Sequence, residues 1–88
     1  MEVYVLSVGF DYEEGEILGV FSSYDKAIGY CEEYLHVSSK LINNGYFHRS
    51  SVNTFGKLTE EEEASRNFSY DELIIKKFIV DENSTLEM

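Results

Sequence analysis

The chain has 88 residues, of which 43% are hydrophobic, 27% charged and 15% aromatic, with one Cys, no Pro and no Trp; this size and apolar content fit one small globular domain and argue against disorder. A single Cys excludes an internal disulfide framework and a Cys-rich zinc site, and His36 and His48 are too few to complete a mononuclear one. Seventeen acids against seven bases give a formal charge of −10, which argues against sequence-independent binding of nucleic acid or of an anionic membrane.

Residues 3–10, VYVLSVGF, are β-branched and aromatic and predict a strand; the almost continuous apolar run implies a central strand covered on both faces, or one whose second face a partner covers. Residues 11–15, DYEEG, predict a turn, and 16–21, EILGVF, a second strand, so that the two make an antiparallel hairpin. A helix follows. Ser23 is its expected N-cap, with Asp25 in the first turn facing the positive end of the helix dipole. Tyr24, Ala27, Ile28, Cys31, Leu35, Ser38 and Ile42 recur at spacings of three or four and share a face. Gly29 weakens the helix interior by about 1 kcal/mol relative to Ala. Asn43-Asn44-Gly45 predicts its stop, since these residue types accept the left-handed conformation that follows helix ends.

Residues 46–57 keep no single period, which predicts a short irregular strand or a wide loop. Thr59 and Glu62 have the spacing of a capping box, and Glu62 with Arg66 forms an i,i+4 pair, predicting a short acidic helix. Residues 70–80, YDELIIKKFIV, predict a last strand, with Lys76 and Lys77 blunting it as an edge. The expected architecture is α+β: a small antiparallel sheet of three or four strands with one main helix packed on one face, in the order β-β-α-(β)-(α)-β. Residues 1–82 form the single domain and 83–88 a frayed tail. Thirteen aromatics exceed what one small helix-on-sheet core hides, which predicts a homodimer through the open sheet face or an edge strand.

No stretch approaches the roughly 20 apolar residues that span a bilayer. Met1-Glu2 leads into Val3-Tyr4-Val5-Leu6 without a basic n-region, so the expectation is a cytoplasmic protein with Cys31 reduced and no membrane contact. Asn67-Phe68-Ser69 has the form of a glycosylation acceptor, which that compartment leaves unused.

Val3 to Ser7 (V-Y-V-L-S), Glu14 to Ser23 (E-G-E-I-L-G-V-F-S-S) and Lys26-Ala27 carry a resemblance. This opening resembles a family of small uncharacterised proteins carried by phages and bacteria. Leu73–Glu82 is similar to that family's last strand, while Asn43 to Phe68 departs from it by being longer and more acidic. The resemblance implies a compact α+β fold and a phage or mobile-element origin. It implies no activity and transfers no catalytic residue.

Chemistry-bearing residues are sparse. Cys31 lies on the apolar stripe with no basic neighbour and reads as a small core residue. His36, near the helix end, and His48, after an aromatic pair, have no partner at motif spacing. Ser22, Ser23, Ser38, Ser39, Ser50 and Ser51 lie in no nucleophile motif, and no glycine-rich phosphate loop is present. Asp11, Glu13, Glu14 and Glu16 lack the alternation of a calcium loop. No cofactor, metal or catalytic residue is indicated.

Glu60, Glu61, Glu62 and Glu63, with Asp71 and Glu72, could present a negative surface to a basic protein patch; the plainer alternative is that their charge only keeps an aromatic-rich chain dispersed. The expected function is therefore a non-enzymatic acidic interaction module, an inhibitor of a host protein with a basic surface patch if the phage-like opening holds. Its expected anchors are Tyr12, Tyr46 and Phe47, with Glu60–Glu63 as a rim. One alternative is a protein that sequesters a small ligand or nucleotide in a dimer-interface pocket lined by aromatics and Arg49 or Lys57; only Lys40, Arg49, Lys57 and Arg66 could build a basic pocket. Another is a structural homodimer.

Overall fold

The computed structural model describes residues 1–52 and 56–80. The expected tail and the end of the domain beyond residue 80 lie outside the described residues, as do residues 53–55. Strands β1 (Glu2–Phe10) and β2 (Glu13–Phe21) are followed by α1 (Tyr24–Tyr34), β3 (Tyr46–His48), α2 (Glu60–Ser65) and β4 (Glu72–Ile79), with single 3-10 turns at Ser39–Leu41 and Arg49–Ser51. The strands form one antiparallel sheet in the order β2-β1-β4-β3. The fold is α+β, an open four-stranded sheet with one main helix and one short helix, as the sequence pattern predicts.

β1 is central, hydrogen-bonded to β2 on one side and β4 on the other. Its alternation puts Leu6 and Val8 into the core, where Leu73 and Ile75 of β4 join them from the same face. Ala27 and Cys31 of α1 cover this face. Each fully buried aliphatic here contributes about 1.5–3 kcal/mol through water exclusion. The remaining core residues are Val37, Ile42, Phe47, Val52 and Phe68. The segment without a sequence period is thus a wall of the core.

Four local expectations change. The β1–β2 turn is two residues, Asp11-Tyr12, because β2 begins at Glu13; the ladder absorbs its extra residues in irregularities opposite Leu6–Ser7 and Val8–Phe10. At the second, Gly15 lies so close to the Val8 carbonyl that a side chain would collide with it. Helix α1 ends at Tyr34, earlier than the apolar spacing implies, and His36 turns left-handed at φ 56°. The Cys31 carbonyl then accepts the amides of both Leu35 and Val37. Asn43-Asn44-Gly45 stops no helix: Asn44 (φ 53°) and Gly45 (φ 77°) are the two central residues of a tight turn, in which Asn43 and Tyr46 exchange backbone hydrogen bonds of 2.9 and 3.0 Å. Finally, β4 is an edge only over its second half. Glu72, Leu73 and Ile74 pair with β3, whereas Lys76 and Lys77 run past its end.

Both predicted helix starts are present. Ser23 Oγ accepts the Lys26 amide at 3.2 Å, and Thr59 Oγ1 accepts the Glu62 amide at 3.2 Å. The Thr59 box is half formed, because the hydroxyl donates to the Glu62 carboxylate at 3.1 Å. Glu62 and Arg66 form no ion pair; the ion pairs of Lys and Arg among the described residues are Lys40–Glu61, Arg49–Asp71 and Lys77–Glu2.

Candidate functional site

At the hairpin end of the sheet, aromatic rings lead from the core to the surface. Phe47 packs edge-to-face on Phe68 at 5.7 Å, Phe68 meets Tyr70 at 5.6 Å, and Tyr70 meets Phe10 at 5.6 Å. Phe10 and Tyr70, with Glu13 and Glu16 from β2, line an open groove of about 420 Å³ floored by Gly9 and Gly15. Tyr70 donates its hydroxyl to Glu16 Oε1 at 2.6 Å. That hydrogen bond, with desolvation and the Glu16 charge behind it, raises the Tyr70 hydroxyl above its ordinary value. The groove combines two ring surfaces with two carboxylates, a chemistry suited to a cation carried on an apolar stem.

Asp71 fixes this end of the molecule. Its amide donates to Gly9 O at 2.9 Å and its carbonyl accepts the Arg49 amide at 2.8 Å. Its carboxylate accepts the Asp11 amide at 3.2 Å and the Arg49 guanidinium at 2.7 Å. The hairpin tip, β3 and the entry to β4 are therefore joined through one side chain.

Beside it, His48 Nε2 lies 2.8 Å from Asp11 Oδ1, and His48 Nδ1 lies 2.7 Å from Ser50 Oγ. The Ser50 amide also donates to Nδ1 at 3.1 Å, so Nδ1 carries no proton and Nε2–H is the donor to Asp11. This chain of atoms has the order of a nucleophile, a base and an orienting acid. Its local geometry is that of a cap, since His48 precedes the Arg49–Ser51 turn and binds that turn's own amide.

The residues named from sequence are dispersed. Tyr12 stands at the hairpin tip, 83% exposed. Tyr46 is half exposed beside Glu72, its hydroxyl raised by desolvation and by that carboxylate. Phe47 is no surface anchor: it is 1% exposed, because strand alternation that turns Tyr46 outward turns Phe47 into the core. The four glutamates split. Glu61 pairs with Lys40 at 3.2 Å and accepts from Ser38 Oγ at 3.4 Å, Glu62 is held by Thr59, and Glu60 and Glu63 stay exposed. Of the four bases, Arg49 and Arg66 meet in a cleft of about 380 Å³ that also includes Ser50 and Val52. Cys31 is sealed in the core, its thiol pushed up to about 12 by burial and by Glu32. Among the described residues no cluster of His, Cys, Asp and Glu is placed to hold a metal ion. The groove itself escaped sequence reasoning because Glu16 and Tyr70 lie 54 residues apart.

Fold and site together define a small helix-on-sheet α+β domain with an acidic, aromatic groove at its hairpin end. No helix among the described residues is long and apolar enough to cross a membrane. The chain belongs to the family described as Domain of unknown function (DUF7336), whose model matches residues 1–53. That stretch holds β1, β2, α1 and β3, while β4, the strand joining β1 to β3, lies outside it. No curated protein and no solved structure matches the chain.

Proposed function

We propose that this chain is a non-enzymatic interaction module whose hairpin-end groove receives a lysine or arginine side chain from a basic partner protein. The support is the pairing in one groove of the Phe10 and Tyr70 rings with the Glu13 and Glu16 carboxylates. Rings accept the aliphatic stem and the flat face of a guanidinium, and carboxylates accept its N–H groups. The formal charge of −10 steers such a partner toward the surface, and salt weakens the encounter. Exposed Tyr12, next to the groove lining in the chain, is the adjoining contact. The resemblance to phage-borne proteins favours a cytoplasmic host protein with a basic, nucleic-acid-binding groove as the partner, and inhibition of it as the outcome.

An arginine-rich peptide titrated against the labelled protein tests this by amide shift mapping. Shifts centred on Gly9, Gly15 and Tyr70, lost in a Glu13→Gln, Glu16→Gln double variant, are expected. Shifts spread evenly over all acidic segments would overturn it.

A second reading rests on the cleft shared by Arg49 and Arg66, which suits a small anionic ligand. Arg49 is already neutralised by Asp71, which ranks this reading below the first. Calorimetry with mononucleotides and dinucleotides separates the two.

A further inference from the structure

We infer that the uncovered face of the sheet packs against the same face of a second copy of this chain, about a two-fold axis passing over Ile74. Leu6, Val8, Leu73 and Ile75 occupy the face that α1 and the middle segment cover. The register fixes what the other face carries. Val5 pairs with Val20, Ser7 lies between Ile17 and Ile74, and Val3 pairs with Phe78. Ile17 is 68% exposed, Val20 61% and Phe78 45%, so these neighbours form an apolar surface interrupted by Ser7 and Lys76.

Charge selects the occupant. In a molecule of formal charge −10, the described side chains that β1, β2 and β4 place on this face include one acid, Glu72, and one base, Lys76. These stand two residues either side of Ile74 on β4. A two-fold axis lying in the plane between the sheets, across the strands at Ile74, reverses the second β4 over the first. Lys76 of each copy then faces Glu72 of the other, the self-complementarity that an isologous interface requires. β3 adds Tyr46 and His48 to this face, and its carboxylates, Glu72 and the Asp11 held by His48, stand at the hairpin end. The Glu72 and Lys76 pairing therefore matches a second copy better than a uniformly basic partner. Three strands of about eight residues give a footprint of about 400 Å² per copy, which places the dimer among small, concentration-dependent interfaces.

Sedimentation equilibrium of the full chain between about 10 and 500 µM, the range such small interfaces call for, is the test. We expect mass to rise from monomer toward dimer across this range. Val20→Lys, at an exposed position, should hold the chain monomeric with an unchanged melting curve. Lys76→Glu alone and Glu72→Lys alone should weaken association at least tenfold, and the double exchange should restore it. A monomer at every concentration, or a dimer indifferent to Val20→Lys, overturns the interface. A double exchange that fails to recover while each single variant folds overturns the two-fold register. The peptide titration of the groove, repeated on Val20→Lys, reads the other proposal separately.

Discussion

The Ser65 hydroxyl accepts the backbone N–H of Ser38 at 3.0 Å, and both residues are buried. The same hydroxyl donates back to Glu61 O at 3.0 Å. One atom thus secures the end of α2 to the chain leaving α1. Removing it strands a buried donor, which costs more than the bond's net worth. Ser65→Ala should lower unfolding stability by about 1–3 kcal/mol in urea. Lys40→Ala, which removes the exposed ion pair between the same segments, should cost at most about 1 kcal/mol. Equal losses would mean that the buried hydroxyl holds α2 no more firmly than the surface pair does.

Gly45 is a second local commitment. Its φ is 77°, its carbonyl accepts the Ile75 amide at 2.6 Å, and a Cβ there would run into the Ile75 carbonyl. Gly45→Ala should cost about 2 kcal/mol or more, because the backbone strain and the collision add. Asn44→Gly, at the neighbouring left-handed position (φ 53°) that glycine adopts readily, should change stability little. Thermal melts of the two variants decide whether the collision or the turn geometry dominates.

The Cys31 thiol is pushed up to about 12 from an ordinary 9.0, first by burial and then by the Glu32 charge. The thiolate is therefore disfavoured in the folded chain, and alkylating reagents at pH 8 should modify Cys31 only after unfolding. The sign of the linkage follows. Below about 9 the thiol is neutral in both states and the preference has its full effect; between 9 and about 12 only the unfolded chain ionises, so stability falls as pH rises. Cys31→Ala removes this component, and its stability should decline less steeply over that window. Identical slopes for the two proteins would dismiss the effect.

Ser50 separates a turn cap from a nucleophile. With His48 Nδ1 shared between the Ser50 amide and hydroxyl, the imidazole is committed to the turn. Treatment with a fluorophosphonate should leave Ser50 unmodified, as read by peptide mass spectrometry. Adduct formation that requires His48 and Asp11 would overturn the non-enzymatic proposal.

The two acidic regions should differ in kinetics. Glu60 and Glu63 are exposed charges outside the groove lining, so Glu60→Lys with Glu63→Lys should slow association of an arginine-rich peptide and leave dissociation nearly unchanged. The groove variant Glu13→Gln, Glu16→Gln should instead speed dissociation. Stopped-flow traces at two salt concentrations distinguish these outcomes.

Sequence legibility tracked the range of each interaction. Ser23 and Thr59 declare their caps because the bonded amide lies three residues away. Val3-Tyr4-Val5-Leu6 declares a central strand through its nearly unbroken apolarity, although within the chain only the Leu6 face is covered. The helix overshoots on paper because Ser38 and Ile42 continue the apolar spacing, although tertiary packing rather than helical period buries them. Asn44-Gly45 is ambiguous for a physical reason: a helix exit and a tight hairpin both ask for positive φ. Phe47 looks like a loop aromatic until β3 has a neighbour. The groove required β2 and Tyr70 to be placed side by side, which no local pattern encodes.

The ladder between β1 and β4, running from Glu2↔Ile79 to Gly9↔Glu72, has a temporal consequence. In synthesis β4 follows its partner β1 by about 70 positions, an interval of about 4–14 s at bacterial to eukaryotic rates of roughly 5–20 residues per second. Until then β1 carries an open edge, and Leu6 and Val8 have only β2 and α1 to shield them. A chaperone that engages emerging polypeptides has its natural window there, before the last strand arrives to close the ladder.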